Sequence, residues 1–440
     1  LKSLYYIKAI VKHENYSLLQ LKLSEERQIP AYKHKIFMKI LVLNAGSSSQ
    51  KTCLYEIAGE IPEQAPKPVW EAKVDWSHHQ GFAEIEIKTA NSEKLLLEEI
   101  PGDSHSSVMA HLLDTLTSGS TQVIGELSEI DIVGHRVVHG GQDYSESVVI
   151  TQSVKEVIAR LSTLAPAHNP ANLEGIEAIE KHLGNITQIA VFDTAFHSSL
   201  PDAAAIYPGP YEWVDEGIRR YGFHGISHQY CAQRAAQILG QDLASLKLIT
   251  CHLGNGCSLA AISGGVSIDT TMGFTPLDGL MMGSRSGAVD PSILIHLLRE
   301  KDYSVDKLDN LLNKASGLSG ISGVSSDMRQ ITEAIAQGNT RAQLALDIYI
   351  HRLRSYIGAM LASLFGLDAL VFTAGVGENS PRIRQAACEA FPFLGIKIDN
   401  TRNTSNPVDV DIADRDSKVR VLVVHTQEDW AIATECWRLR

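Results

Sequence analysis

The chain has no C-x-x-C pair: its six cysteines stand apart at Cys53, Cys231, Cys251, Cys257, Cys388 and Cys436. That spacing suggests neither a zinc ribbon nor a disulfide framework, and free buried thiols in a reducing cytosol are expected. No run of about 18 apolar residues occurs, so no spanning helix is expected. Basic residues are not in excess, since 39 Lys and Arg face 51 Asp and Glu for a formal net charge of -12. A general polynucleotide binder needs a basic face, so that class is disfavoured. A small anion such as a nucleotide is still allowed, because a few local cations and backbone N–H groups suffice to hold it.

Familiar catalytic signatures are missing too. Gly46 to Thr52 nearly spells a P-loop, but Gln50 stands where its second Gly should be. There is no H-R-D or D-F-G of protein kinases, and no H-E-x-x-H. Gly283-Ser284-Arg285-Ser286-Gly287 has Arg where a hydrolase elbow has its Ser. The acidic stretch Asp409–Asp416 lacks the Gly of a calcium loop and reads as a solvated surface turn.

What is present is an α/β pattern. Of 440 residues, 44% are hydrophobic, enough to bury cores of two or three domains. Met38-Lys39 leads into the apolar run Ile40–Leu43, then Asn44–Ser49, then a second strand at Thr52–Ile57. That is a hairpin. The same shape recurs at Leu248–His252, Leu253–Cys257 and Ser258–Ile262. Two such hairpins suggest a duplicated architecture. Further strands are read at Ile132–His139, Ile189–Asp193, Ala369–Thr373 and Val421–His425, with helices at Val154–Leu164 and Ala342–Leu364. Residues 1–37 read as an appendage with no secretory leader.

Polar residues collect where strands end, which is where open α/β sheets bind ligands. Three Gly-rich turns follow apolar strands, at Asn44–Ser49, Leu253–Cys257 and Gly375–Asn379. Together they favour phosphate binding, although each alone is commonly structural. Arg136 and Arg285 are hemmed in by small residues and could clamp a carboxylate or phosphate, or form a buried ion pair. Asp193 ends a strand and could orient a nucleophile, bind a hydrated metal or cap a helix. His224 and His228 have helical spacing, with one read as a donor to a ligand oxygen and the other as a satisfied structural histidine. Glu428 and Asp429 could hold Mg²⁺ or complement a helix dipole.

In order along the chain, these motifs resemble the acetate kinase family of the acetate and sugar kinase, actin and heat-shock ATPase superfamily. They are Asn44–Ser49, Gly134–Gly141, Phe192–His197, Tyr221–Gly225, His252–Gly256, Met272–Pro276 and Phe372–Asn379. The resemblance covers Met38 to near the C-terminus. It implies two ribonuclease H-like domains around a cleft, one of residues 38–195 plus 429–440 and a nucleotide-binding one of residues 196–428. It also implies a cytoplasmic homodimer that moves the γ-phosphoryl group of ATP to acetate with Mg²⁺ or Mn²⁺, giving acetyl phosphate and ADP, with propionate as the alternative acceptor.

Carried onto this sequence, the resemblance makes Asp193, His224 and Arg285 catalytic. Arg136, Val138, Ala167, Phe223 and Pro276 would bind the carboxylic acid. Asn44 and Glu428 would serve the metal. Lys51, His252, Leu253, Gly254, Asn255 and Gly256 would contact nucleotide, as would Asp327, Met328, Arg329, Gly375, Val376, Gly377, Glu378 and Asn379. The family usually has Leu at the position of Ala167. Extra room there implies better acceptance of propionate, since a methylene is worth about 1–3 kcal/mol of discrimination.

Overall fold

The computed structural model describes residues 37–46, 49–76, 81–90, 92–102 and 104–440. The appendage read at residues 1–37 lies outside the described residues except for Phe37, and so do Ser47 and Ser48 of the first Gly/Ser turn.

Ile40–Leu43 is apolar on both faces, as a strand covered from both sides must be. It forms the middle of β1 (Phe37–Ala45), which returns as β2 (Ser49–Ala58) in an antiparallel hairpin with Asn44 opposite Lys51. The meander continues through β3 (Trp70–Asp75), β4 (Phe82–Thr89) and β5 (Ser92–Pro101). On the other side of β1, β6 (Ile132–Val137) pairs in parallel, then β8 (Thr187–Phe192), with the short β7 (Val148–Val149) at the edge. A second sheet holds β9 (Lys247–Leu253), β10 (Cys257–Ser263), β11 (Val266–Thr270), β12 (Ala369–Thr373), β13 (Val410–Asp411) and β14 (Arg420–Val423). Its order is β11-β10-β9-β12-β14-β13.

The two sheets repeat one plan. β3-β2-β1-β6-β8 and β11-β10-β9-β12-β14 share both order and direction: two antiparallel pairings followed by two parallel ones. The duplicated α/β architecture expected from the two hairpins is therefore present.

Helices cover both faces of each sheet. The ones that bear on the site are α1 (His105–Thr117), α2 (Asn169–Leu183), α3 (Gly225–Leu239), α4 (Pro291–Glu300), α5 (Thr340–Leu364), α6 (Ala374–Asn379) and α7 (Glu428–Leu439). Leu41, Leu54, Ile85, Leu112 and Ile179 form one core of the first sheet, under α1 and α2. Ile40, Val42, Ile189 and Ile432 form the other, under α7, so the last helix of the chain crosses back to the first sheet. That docking needs Gly134, because a Cβ there would run into Cys436 and Ile432. In the second sheet Ile249 and Phe372 share a core with Leu353 of α5, and Leu248 and Val371 share one with Ala235 of α3. All six cysteines are buried and free. Among the described residues no helix is long and apolar enough to cross a membrane.

Two local expectations are corrected. Asp409–Asp416 is not only a solvated turn. Ile412 and Ala413 are fully buried, and Val410–Asp411 pairs with β14, so the acidic residues flank an edge strand. Gly375–Asn379 is not a loop but lies in the short helix α6, entered through Ala374 at a φ of 63°.

Candidate active site

Parallel pairing in the first sheet lines up its strand ends. Arg136 on β6 lies opposite Val191 on β8, one residue before the strand's last, Phe192, and Asp193 follows directly. Asn44, next to last in β1, lies one step beyond Leu43, which pairs with His135. These three side chains meet. Arg136 donates from Nε (3.0 Å) and from a terminal nitrogen (2.5 Å) to Oδ2 of Asp193, and its other terminal nitrogen faces Asn44 Oδ1 at 3.5 Å. Asp193 is 2% exposed. Burial pushes its carboxyl above the ordinary carboxylate range, and Arg136 pulls it back. Burial also works against the Arg136 charge, but Asp193 and then Glu428 more than offset it. Arg136 keeps its charge at neutral pH because a guanidinium does not give up its proton there, and that charge favours the ionised form of Asp193.

The start of α3 and the segments around it form the opposite wall. His224 stands at the N-terminus of α3 with φ 56° and ψ 26°, a left-handed conformation uncommon outside glycine. The next residue must be Gly225, since a Cβ there would collide with the Asp193 carbonyl oxygen that its own N–H bonds at 2.9 Å. That bond ties α3 directly to the end of β8. The His224 ring stacks on His252, centroids 4.1 Å apart. Burial first, then His252 and Arg136, hold His224 well below the ordinary imidazole range, and burial with Arg136 lowers His252 to about 4. Both rings are neutral at pH 7.

A cavity of about 200 Å³ opens between these walls. Arg136, Asp193, His224 and Arg285 line it, with Val138, Phe223 and Pro276 as apolar surface and Asn255 and Gly256 as a rim. Among the described residues the Arg285 side chain has one hydrogen bond, from a terminal nitrogen to the Pro276 carbonyl at 3.4 Å, and no carboxylate partner. Burial, and beyond it Arg136, lower its pKa, yet it stays charged. A half-buried cation without an acid partner calls for an anion.

The sequence-derived residues divide on this geometry. Asp193, His224, Arg285, Arg136, Val138, Phe223, Pro276, Asn255 and Gly256 converge on the cavity. Ala167 does not. It is exposed in the turn before α2 and is absent from the lining, where its neighbour His168 stands instead. Nothing in the motif around His168 singles it out; burial first, then Arg136 and Arg285, lowers it to about 3. Gly46 and Ser49 also reach the lining.

Other candidates are committed elsewhere. Lys51 is paired with Asp429 (2.8 Å) and Glu71 (3.0 Å). Asp327 caps the helix Met328–Ala336 and pairs with exposed Arg329, while Met328 and Leu253 belong to the core. Glu378 accepts from the backbone of Ala374 and Thr426 and pairs with His425 at 2.6 Å. Gly254 closes the β9–β10 turn through its N–H to the Gly256 carbonyl. Gly375, Val376, Gly377 and Asn379 all lie within α6.

The donors around Asn44 are hard oxygens. Asn44 Nδ2 donates to Glu428 (3.3 Å) and Asp429 (2.9 Å). Among the described residues no group of three His, Cys, Asp or Glu could hold a metal by itself. Mg²⁺ seldom asks for that, keeping waters and binding one or two carboxylates plus substrate phosphates. Asn44 and Glu428, beside a cavity that draws anions, fit such a partial set.

The acetokinase family model matches residues 39–434. The chain belongs to the acetokinase family. An acetate kinase of Trichormus variabilis is 70% identical over 403 residues, covering 91% of this chain and 99% of the relative. The crystal structure of Porphyromonas gingivalis acetate kinase is 41% identical with a TM-score of 0.83, covering 91% of this chain and 99% of that one. The structure of a propionate kinase from Francisella tularensis is 39% identical with a TM-score of 0.83, covering 92% and 100%. As a family member this chain is a kinase, and the α/β duplication described above is the family's fold.

Proposed function

We propose that this acetokinase-family chain reversibly transfers the γ-phosphoryl group of ATP to acetate, giving acetyl phosphate and ADP. The observation that carries the reading is the cavity itself, where Arg136 and Arg285 converge while Asp193 is the one acid among the described lining residues. Acetate is already an anion, so a strong general base is superfluous. The difficulty is bringing two anions together in line, and catalysis is mainly positioning plus cations.

Arg136, held in place by Asp193, takes the carboxylate, with Val138, Phe223 and Pro276 around the methyl group. Arg285 and neutral His224 face the phosphoryl group. Asn255, Gly256 and the turn around them flank the phosphates, with the remaining nucleotide contacts assigned to the segments at Asp327–Arg329 and Gly375–Asn379. Asn44 and Glu428 would hold Mg²⁺, which when bound neutralises phosphate charge. A hydroxamate assay with ATP, Mg²⁺ and acetate tests the reading; no acyl hydroxamate from any short acid would end it.

Propionate is the second reading, favoured by the Francisella tularensis neighbour. Room at Ala167 no longer supports it, because that side chain is exposed and off the cavity. Ala167→Leu is therefore expected to leave the ratio of kcat/KM for acetate and propionate unchanged. A shift toward acetate of about tenfold, the worth of one methylene, would put Ala167 back in the acid pocket.

We assign residues 38–195 plus 429–440 to one domain and 196–428 to the other, supported by the return of α7 to the first sheet. A homodimer is supported by α4, none of whose residues is buried although Ile293, Ile295 and Leu298 are apolar. Sedimentation as a monomer at micromolar concentration would remove it. Six buried free thiols suit a cytoplasmic setting.

A further inference from the structure

Behind His224 lies a line of buried polar groups that the reaction does not itself touch. His224 Nδ1 is 2.8 Å from Ser258 Oγ, and the same oxygen is 2.7 Å from His228 Nε2. His228 Nδ1 is 2.7 Å from Thr250 Oγ1. Ser258, His228 and Thr250 are all 0% exposed. Four residues, from β9, β10, α3 and the position just before α3, thus form one chain of hydrogen bonds that ends on a cavity-facing imidazole. His224 Nε2 has no protein partner among the described residues.

Proton counting makes this chain directional. Ser258 carries one hydroxyl proton, so it can donate to only one of its two histidines and must accept from the other. A neutral imidazole likewise donates from one nitrogen and accepts at the other. Only two arrangements therefore satisfy every member. In one, each bond points toward the cavity: Thr250 donates to His228, His228 to Ser258 and Ser258 to His224, leaving a proton on His224 Nε2. In the other, each bond points away and leaves a bare lone pair on Nε2. A bare lone pair would repel a phosphoryl oxygen, and a proton would bond it.

We infer that Ser258, His228 and Thr250 are positioning residues that set neutral His224 as its Nε2–H tautomer, making it a fixed hydrogen-bond donor to the transferring phosphoryl group. This rests on the phosphoryl-transfer reading above. The surroundings agree. His228 is held well below the ordinary imidazole range by burial first, then by His197 and His252, so it too is neutral. The left-handed backbone at His224 leaves its ring to be aimed by Ser258 behind and by the stacked His252 ring. A hydrogen-bond partner at the far nitrogen is the usual way a protein chooses a histidine tautomer.

The test is a double-mutant cycle. Ser258→Ala is expected to lower kcat about 10- to 100-fold, the range for lost supporting hydrogen bonds, with both KM values within about threefold, the sign of an interaction made in the transition state. Thr250→Val, nearly isosteric, is expected to lower kcat about 3- to 10-fold in the native protein, since it removes a more distant member of the same line. In the Ser258→Ala background it should have no further effect, because the line is already cut. Effects that multiply would overturn the relay, as would a rise in KM without a fall in kcat. Nitrogen-15 NMR gives a reading without turnover: the His224 proton is expected on Nε2 in the native protein and shared between the nitrogens in Ser258→Ala. A proton on Nδ1 in the native protein would overturn the inference. An Nε2–H signal in a chain that makes no acyl phosphate would support the relay while overturning the reading on which its purpose rests.

Discussion

Arg285→Ala is expected to lower kcat by about 10³-fold, on the scale of arginine fingers in GTPases, while the protein stays folded. The two halves of that result have one cause. Arg285 lines the cavity with no carboxylate beside it among the described residues, so its charge is available to the transferring group and contributes little to the native fold. A buried charge without a partner costs stability, and its removal relieves that cost. The variant should therefore unfold at the same temperature as the native protein or a higher one. Steady-state kinetics beside a thermal melt would show it. A fall of only a few-fold in kcat would place Arg285 away from the chemistry. A large fall together with a collapsed melt would make it a structural residue.

Arg136→Ala should behave in the opposite way toward stability. Its guanidinium is the only partner of the Asp193 carboxylate among the described residues, and Asp193 is 2% exposed. Truncation strands a buried carboxylate, which typically costs about 3–5 kcal/mol. The loss also depends on pH. Burial already holds the Asp193 pKa above its unfolded value, and without Arg136 that pKa rises further. A carboxyl raised in the folded state opposes folding where it must ionise, and protonation relieves it. The deficit against the native protein should be largest at neutral pH and shrink in mild acid. Arg136→Ala/Asp193→Asn should recover much of the stability but not the activity. Catalytically, loss of the acid-binding fork should lower kcat/KM for acetate by about 10²-fold or more, of the order of a buried charge-assisted bond. Unchanged acetate saturation would show that Arg136 does not hold the acid.

Much of this was legible in the sequence because it is local. Ile40–Leu43 and Leu248–His252 are short apolar runs stopped by glycine, and such runs become buried strands wherever helices cover both faces. Asn44, Arg136 and Asp193 are polar residues at strand ends, conspicuous against apolar neighbours. Contacts across long stretches of chain were not legible. Arg136 and Asp193 are 57 residues apart, and only the parallel pairing of β6 with β8 makes them partners. The sequence left open whether Arg136 is an ion pair or a ligand clamp; the structure shows the ion pair, and its exposure to the cavity leaves the second role available.

Ala167 and His168 are adjacent, and turn geometry alone decides which faces the cavity. A turn has no periodicity to reveal that choice. The same limit explains Asp409–Asp416, where charge suggested solvent and two buried apolar residues, Ile412 and Ala413, set the backbone. The four-residue spacing of His224 and His228 could not show Ser258, from β10, standing between the rings.

The most direct measurement follows phosphorus itself. Purified protein with ATP, Mg²⁺ and acetate is monitored by phosphorus-31 NMR. The γ-phosphate signal should decline in step with the growth of acetyl phosphate and ADP, and adding the products should run the exchange backward. Inorganic phosphate appearing in place of acetyl phosphate, or a γ-phosphate signal indifferent to acetate, would contradict the account.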